Sequence, residues 1–95
     1  MQPDAELVAL VERMYDAFAT GSPEVVTGMI SREPGVLGIG TDPAEWWVGD
    51  AVPRAFQAQL PEMYAAAIRF RAGEIVAYRD GSVGWLADQP VLELP

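Results

Sequence analysis

The sequence contains no cysteine, histidine, lysine or asparagine among its 95 residues. Without cysteine it forms no disulfide, and without cysteine or histidine it lacks the usual zinc ligands and the Ser-His or Cys-His pair of nucleophilic catalysis. Its 14 acidic and 6 basic residues give a formal net charge of −8. Because binding to a polyanion needs clustered basic residues, we expect no nucleic-acid partner. We also expect no metal and no cofactor.

From the amino-terminal residues we expect no targeting signal. Residues 1–6 (MQPDAE) are acidic and lack the basic and apolar segments of a signal peptide. No apolar run approaches the roughly 20 residues that span a bilayer. We therefore expect a cytoplasmic protein that does not bind membranes. With 51% hydrophobic and 21% charged residues, the composition indicates one globular domain over residues 1–95.

Three helices are predicted in the first two thirds of the chain. Apolar residues at helical spacing indicate a first helix over residues 3–20, ended by Gly21. Ser22 and Pro23 start a second, short helix over residues 23–30. A third helix follows Asp50 and runs to about residue 64, and we expect Pro61 to kink it or end it early.

A short strand is predicted between the second and third helices, over residues 36–41. The segment Asp42-Pro43-Ala44-Glu45 that follows is typical of a helix start: the aspartate can cap, proline suits the first helical position, and glutamate sits three residues after the cap.

The last third reads as a β-hairpin turning at Asp80-Gly81, which would pair Tyr78 with Val83, Val76 with Trp85, and Glu74 with Ala87. Strict alternation puts Ile68, Phe70, Ala72, Glu74, Val76, Tyr78 and Trp85 on one apolar face. Gly73 favours the alternative, a β-bulge at Ala72-Gly73 that would turn Glu74 to solvent. Pro90 requires a bulge or an edge position.

The elements together indicate an α+β fold in which one face of a bent sheet packs on the helices. Their order, with the strings IGTDPAEWWVGD over residues 39–50 and DGSVGWLAD over residues 80–88, resembles the SnoaL-like branch of the nuclear transport factor 2-like superfamily. The resemblance implies a cone-shaped, cystatin-like α+β barrel, with amino-terminal helices packed on a strongly bent antiparallel sheet. Relatives usually continue into two further long strands. We therefore expect the chain to be incomplete at its carboxyl end, or a partner to cover the open edge.

The superfamily includes ketosteroid isomerase, polyketide cyclases, epoxide hydrolases and pocket proteins with no known reaction, so the resemblance implies a fold rather than an activity. We expect a small apolar or aromatic molecule to bind in the cone, and the chain to form a homodimer through its sheet. The predicted pocket residues are Met14, Tyr15, Phe18, Trp46, Trp47, Phe56, Leu60, Phe70, Glu74, Val76, Tyr78 and Trp85.

Two alternatives to ligand binding stay open. The position of Asp42, before a proline and upstream of Gly49 and the third helix, resembles that of the general base in the isomerase-like relatives, which would make the chain an isomerase, cyclase or hydrolase. Against this, a capping carboxylate bonds backbone N–H groups and is a weaker base. Arg54 is expected to form a surface ion pair with Asp42 or Asp50. The other alternative is a structural dimerisation module.

Overall fold

The computed structural model describes residues 1–95 and shows three helices and two antiparallel sheets. In chain order the elements are β1 (Gln2–Pro3), α1 (Ala5–Thr20), α2 (Pro23–Met29), β2 (Leu37–Ile39), β3 (Trp46–Val48), α3 (Ala51–Ala65), β4 (Arg69–Asp80) and β5 (Val83–Glu93). One sheet has the order β1-β4-β5, and β2 and β3 form a separate two-stranded ribbon. The predicted α+β fold class is confirmed. No helix has both the length and the apolar character needed to cross a membrane.

The first two helices lie close to their predicted bounds. Helix α1 begins at Ala5 rather than Pro3, because Asp4 is its N-cap and accepts hydrogen bonds from the backbone N–H groups of Glu6 (2.9 Å) and Leu7 (3.3 Å). Pro3 belongs instead to β1, which pairs with β4. Gly21 ends α1 in the left-handed conformation, as predicted.

Of the two effects expected of Pro61, a kink or an early end, the early end does not occur, because α3 continues to Ala65, close to its predicted end at about residue 64. Proline removes one N–H, whose acceptor in a regular helix would be the carbonyl group of Gln57, four residues earlier. Gln57 and Pro61 are both exposed, so water can reach the free carbonyl group. The opposite side of the helix, with Val52 and Leu60, is buried in the core and keeps the last turn in place.

Asp42 does not start a helix. Residues 40–45 form the loop of the β2–β3 hairpin, which the backbone N–H of Gly40 closes by donating to the carbonyl group of Glu45 at 2.9 Å. The strand β3 that follows was not predicted. Its sequence, Trp46-Trp47-Val48, consists of residues with high β propensity, and pairing with β2 decides the local conformation.

The β4–β5 hairpin turns one residue later than predicted. Asp80 pairs with Val83 and Tyr78 with Trp85, so every predicted pairing is wrong by two residues. Gly81, with φ of 60°, is the first central residue of the turn, a position that glycine takes in type II′ hairpins. A shift of two residues conserves the face, and Trp85 therefore still lies beside Val76 and Tyr78.

A β-bulge in β4 reverses the alternation of side chains. Arg71 pairs with Val91 but Glu74 pairs with Gln89, which leaves Ala72 and Gly73 opposite a single residue of β5. A Cβ atom at Gly73 would overlap the carbonyl oxygen of Gln89, so only glycine fits here. The prediction of one continuous apolar face is wrong, and the bulge alternative is confirmed: Glu74 is exposed.

Helix α1 packs on the side of β4 that carries Phe70 before the bulge and Ala77 after it, and α2 and α3 pack against α1 and against each other. The core is small, with 10 of 95 residues buried. Its centre is formed by Ala17, Val26 and Leu60, and Met14, Phe18, Ile30 and Phe56 pack around them.

Candidate functional site

Four aromatic rings meet where α1, α3 and β4 come together. Tyr15 and Phe18 lie three residues apart on α1, with ring centroids 5.3 Å apart in an edge-to-face arrangement. Phe18 also contacts Phe70 of β4 (5.6 Å) and stacks on Phe56 of α3 (6.5 Å). These distances lie in the range of favourable aromatic pairs. The cluster forms because the helical repeat of α1 and the strand before the bulge turn these rings to the same interior.

The hydroxyl group of Tyr15 donates a 2.5 Å hydrogen bond to Oδ2 of Asp88 on β5. Tyr15 is buried, with 8% of its surface exposed. Burial raises the pKa of Tyr15 well above its usual range, and the hydrogen bond to Asp88 and the charge of Asp88 raise it further. The hydroxyl group therefore stays protonated at neutral pH and remains a donor.

Asp88 was not among the predicted site residues. It pairs with Ile75, two residues after the bulge, and so faces α1 rather than solvent. The signal in the sequence that could have pointed to Asp88 is the glycine of the bulge. The bulge exchanges the inward and outward positions of β4, and strand pairing then determines which residues of β5 point inward.

A cleft opens beside this cluster, between α1 and the bulged part of β4. Its volume is about 270 Å³, and it is lined by Glu12, Tyr15, Asp16, Ala19, Phe70, Arg71 and Ala72. This volume is close to the lower limit for small-molecule sites. Arg71 is already paired with Glu93 on the neighbouring strand, while Glu12 and Asp16 are exposed. The cleft thus has aromatic and apolar walls and an acidic rim.

The structure brings together half of the predicted pocket residues. Tyr15, Phe18, Phe56 and Phe70 form the cluster, and Met14 and Leu60 lie in the core around Phe18 and Phe56. The other six lie elsewhere, in two groups. Trp46 and Trp47 are on the β2–β3 ribbon, where Trp47 is half-buried and Trp46 is exposed. Glu74, Val76, Tyr78 and Trp85 lie on the face of β4–β5 that points away from the helices.

Tyr78 and Trp85 form a pair of their own on this outer face. Their rings stack with centroids 5.2 Å apart, and the indole N–H of Trp85 points to the sulfur of Met1 at 3.0 Å. The bulge is the reason that they are separated from Phe70, because it changes which residues of β4 point inward.

Asp42 is exposed in the hairpin loop. Its Oδ1 accepts a hydrogen bond from the backbone N–H of Ala44 (2.8 Å), and its own N–H donates to Oε1 of Glu45 (2.9 Å). These are the bonds of a capping residue, formed here in a loop rather than at a helix start. Arg54 pairs with Asp50 at 3.2 Å. The general-base role of Asp42 stays a prediction.

No group of three or more acidic residues is arranged to hold a metal ion. The family model of the SnoaL-like domain matches residues 7–94. No curated protein and no solved structure matches the chain significantly. The combination of three helices with an antiparallel sheet is compatible with the cone-shaped fold of this family. The chain belongs to the SnoaL-like domain family.

Proposed function

We propose that this SnoaL-like domain binds one small, flat, apolar or aromatic molecule in the cleft between α1 and the bulge of β4. The observation that carries the proposal is the position of Tyr15 and Phe70. Both rings belong to the aromatic cluster, and both also form part of the wall of an open cleft of about 270 Å³. A ligand ring placed there would extend the cluster and bury apolar surface against two rings that are already fixed.

The polar groups of the cleft support binding rather than proton transfer. The hydroxyl group of Tyr15, which would be the natural proton donor, is committed to Asp88 and stays protonated. The guanidinium group of Arg71 is paired with Glu93. What the cleft offers a ligand is therefore aromatic and apolar surface, with no free cation to hold an anionic group.

The proposal is tested by titrating ¹⁵N-labelled protein with N-phenyl-1-naphthylamine, a neutral aromatic probe, and recording amide shifts. We expect saturable shifts at residues 12–19 and 70–72, the segments that line the cleft. Ala19→Trp puts a large ring into the cleft from an exposed helix position and should weaken binding by about tenfold or more.

Ala58→Trp is the matched control, since it is the same change at an exposed position of α3 that does not line the cleft. It should bind the probe as the wild type does. Shifts that do not saturate, or equal binding by the two variants, would rule the cleft out.

A further inference from the structure

The α1 wall of the cleft carries two carboxylates on one face of the helix. Four of the residues that line the cleft follow one another at the spacing i, i+3, i+4 and i+7 of a single helix face: Glu12, Tyr15, Asp16 and Ala19. Glu12 and Asp16 are therefore neighbours, one turn apart, on the face that carries the ring of Tyr15. Both are exposed and form the rim of the cleft. Because like charges at this spacing repel each other, a cation between them is favoured.

No basic side chain of the protein neutralises this pair. None of its five ion pairs includes Glu12 or Asp16. Arg71 is the one basic residue that lines the cleft, and its guanidinium group is already paired with Glu93. Arg13, although next to Glu12 in the sequence, lines a separate cavity on another side of α1. The rim of the cleft is therefore negative, and its charge is left for a ligand to balance.

The surroundings of the two carboxylates suit an organic cation better than a metal ion. Calcium takes six or more oxygen ligands, and no third acidic side chain joins Glu12 and Asp16 in a cluster that could hold a metal. An ammonium group needs only a few acceptors, and at an exposed rim it keeps part of its water. The aromatic rings of Tyr15 and Phe70 line the same cleft, and the faces of such rings attract a cation.

We propose, on the basis of the function proposed above, that the ligand of the cleft is a cationic aromatic amine. Its ring lies against Tyr15 and Phe70, and its ammonium group lies between the carboxylates of Glu12 and Asp16. An anion of the same shape would meet two like charges and no free guanidinium group. Exposed ion pairs and cation–π contacts are individually weak, and their sum corresponds to a preference of about tenfold for the amine over a neutral molecule of the same shape.

Three probes that share one ring system test the charge of the ligand: 1-naphthylmethylamine, 1-naphthylmethanol and 1-naphthoate. Each is titrated into ¹⁵N-labelled protein at neutral pH and low salt, and amide shifts at residues 12–19 and 70–72 give the Kd. We expect the amine to bind about tenfold more tightly than the alcohol, and the carboxylate to bind more weakly than the alcohol. Added salt should reduce the preference, because exposed charges are screened.

A double variant assigns the preference to the two carboxylates. Glu12→Gln with Asp16→Asn should bring the Kd of the amine close to that of the alcohol, while binding of the alcohol stays as in the wild type. The matched control is Glu24→Gln with Glu62→Gln, which removes the same number of charges from exposed positions of α2 and α3 that do not line the cleft. It should keep the preference for the amine.

The outcomes separate this inference from the function on which it rests. If the alcohol binds as tightly as the amine, the ligand is not selected by charge, and the inference is overturned while the proposed function stands. If both double variants lose the preference equally, the overall charge of the protein attracts the amine, and the roles of Glu12 and Asp16 are refuted. If none of the three probes causes saturable shifts, the proposed function fails and this inference fails with it.

Discussion

Replacing Tyr15 with phenylalanine isolates the contribution of one hydrogen bond. The ring keeps its contact with Phe18 at 5.3 Å, and only the hydroxyl group that donates to Asp88 is lost. Hydrogen bonds to charged groups contribute about 1.5–3 kcal/mol, and the carboxylate of Asp88 would be left half-buried without its donor. We expect a loss of about 2 kcal/mol in the free energy of unfolding.

In a chain of this length, about 2 kcal/mol corresponds to a fall in Tm of about 8–16 °C. Thermal and urea unfolding followed by circular dichroism measure both quantities. Tyr78→Phe is the matched control, because it removes a hydroxyl group on the outer sheet face, where the ring stacks on Trp85. It should change stability by no more than about 0.5 kcal/mol.

A double-mutant cycle with Asp88→Asn tests whether the stability lost in Tyr15→Phe comes from the hydrogen bond between Tyr15 and Asp88. If the hydrogen bond is responsible, Tyr15→Phe should cost less in the Asp88→Asn background than in the wild type, with a coupling energy of about 1 kcal/mol or more. A Tyr15→Phe variant within about 0.5 kcal/mol of the wild type, or a cycle with no coupling, would refute the reasoning.

The hydrogen bond between Tyr15 and Asp88 also leads us to expect that the stability of the fold decreases at alkaline pH. Folding raises the pKa of Tyr15 above that of an unfolded tyrosine, which is about 10. Its stabilising contribution is therefore complete below pH about 10 and is lost as the pH rises toward the folded-state pKa, because the unfolded chain gives up the proton first. The wild type should lose more stability above pH 10 than Tyr15→Phe does, and parallel pH profiles would contradict this.

Three further variants test the backbone features of the fold. Gly73→Ala forces a Cβ atom onto the carbonyl oxygen of Gln89 and should cost about 2 kcal/mol or more in urea unfolding, whereas wild-type stability would mean that the bulge is dispensable. Pro61→Ala restores a helical N–H within α3 and should raise stability by about 1–3 kcal/mol, and a destabilised variant would show that the proline is needed. Asp4→Ala removes the cap of α1 and the contact with Arg79 and should lower the Tm at neutral pH. The hydrogen bond from Arg79 holds the pKa of Asp4 below its usual value. The difference in Tm between Asp4→Ala and the wild type should therefore shrink as the pH falls through that lowered pKa. A Tm difference that does not change with pH would argue against the contact between Asp4 and Arg79.

Much of the helical part of the fold could be predicted because its signals are local. The cap at Asp4, the left-handed Gly21 and the apolar repeat of α1 all act within a few residues. The hairpin loop shows the limit of such signals. The hydrogen bonds expected of Asp42 and Glu45 are present, but pairing of the flanking strands turns the segment into a hairpin rather than a helix.

The candidate site was predictable only in part, for a related reason. Tyr15, Phe18, Phe56 and Phe70 are aromatic residues at helical or strand spacing, and their place in the interior follows from that pattern. Whether Glu74 or Asp88 joins them depends on one extra residue in β4. The glycine that permits the bulge is visible in the sequence, but the pairing of β4 with β5 that requires the bulge is not.

By itself, therefore, the sequence determined the fold class, the helices and the aromatic character of the interior, because periodicity and capping act over a few residues. Only the tertiary structure decided that Tyr15 meets Asp88, 73 positions away, that Val76, Tyr78 and Trp85 face outward, and that the ribbon carries an uncovered apolar face. The physical reason is that strand register is a long-range property: a single inserted residue exchanges the two faces of a strand, and Gly73 permits that insertion without fixing the pairing.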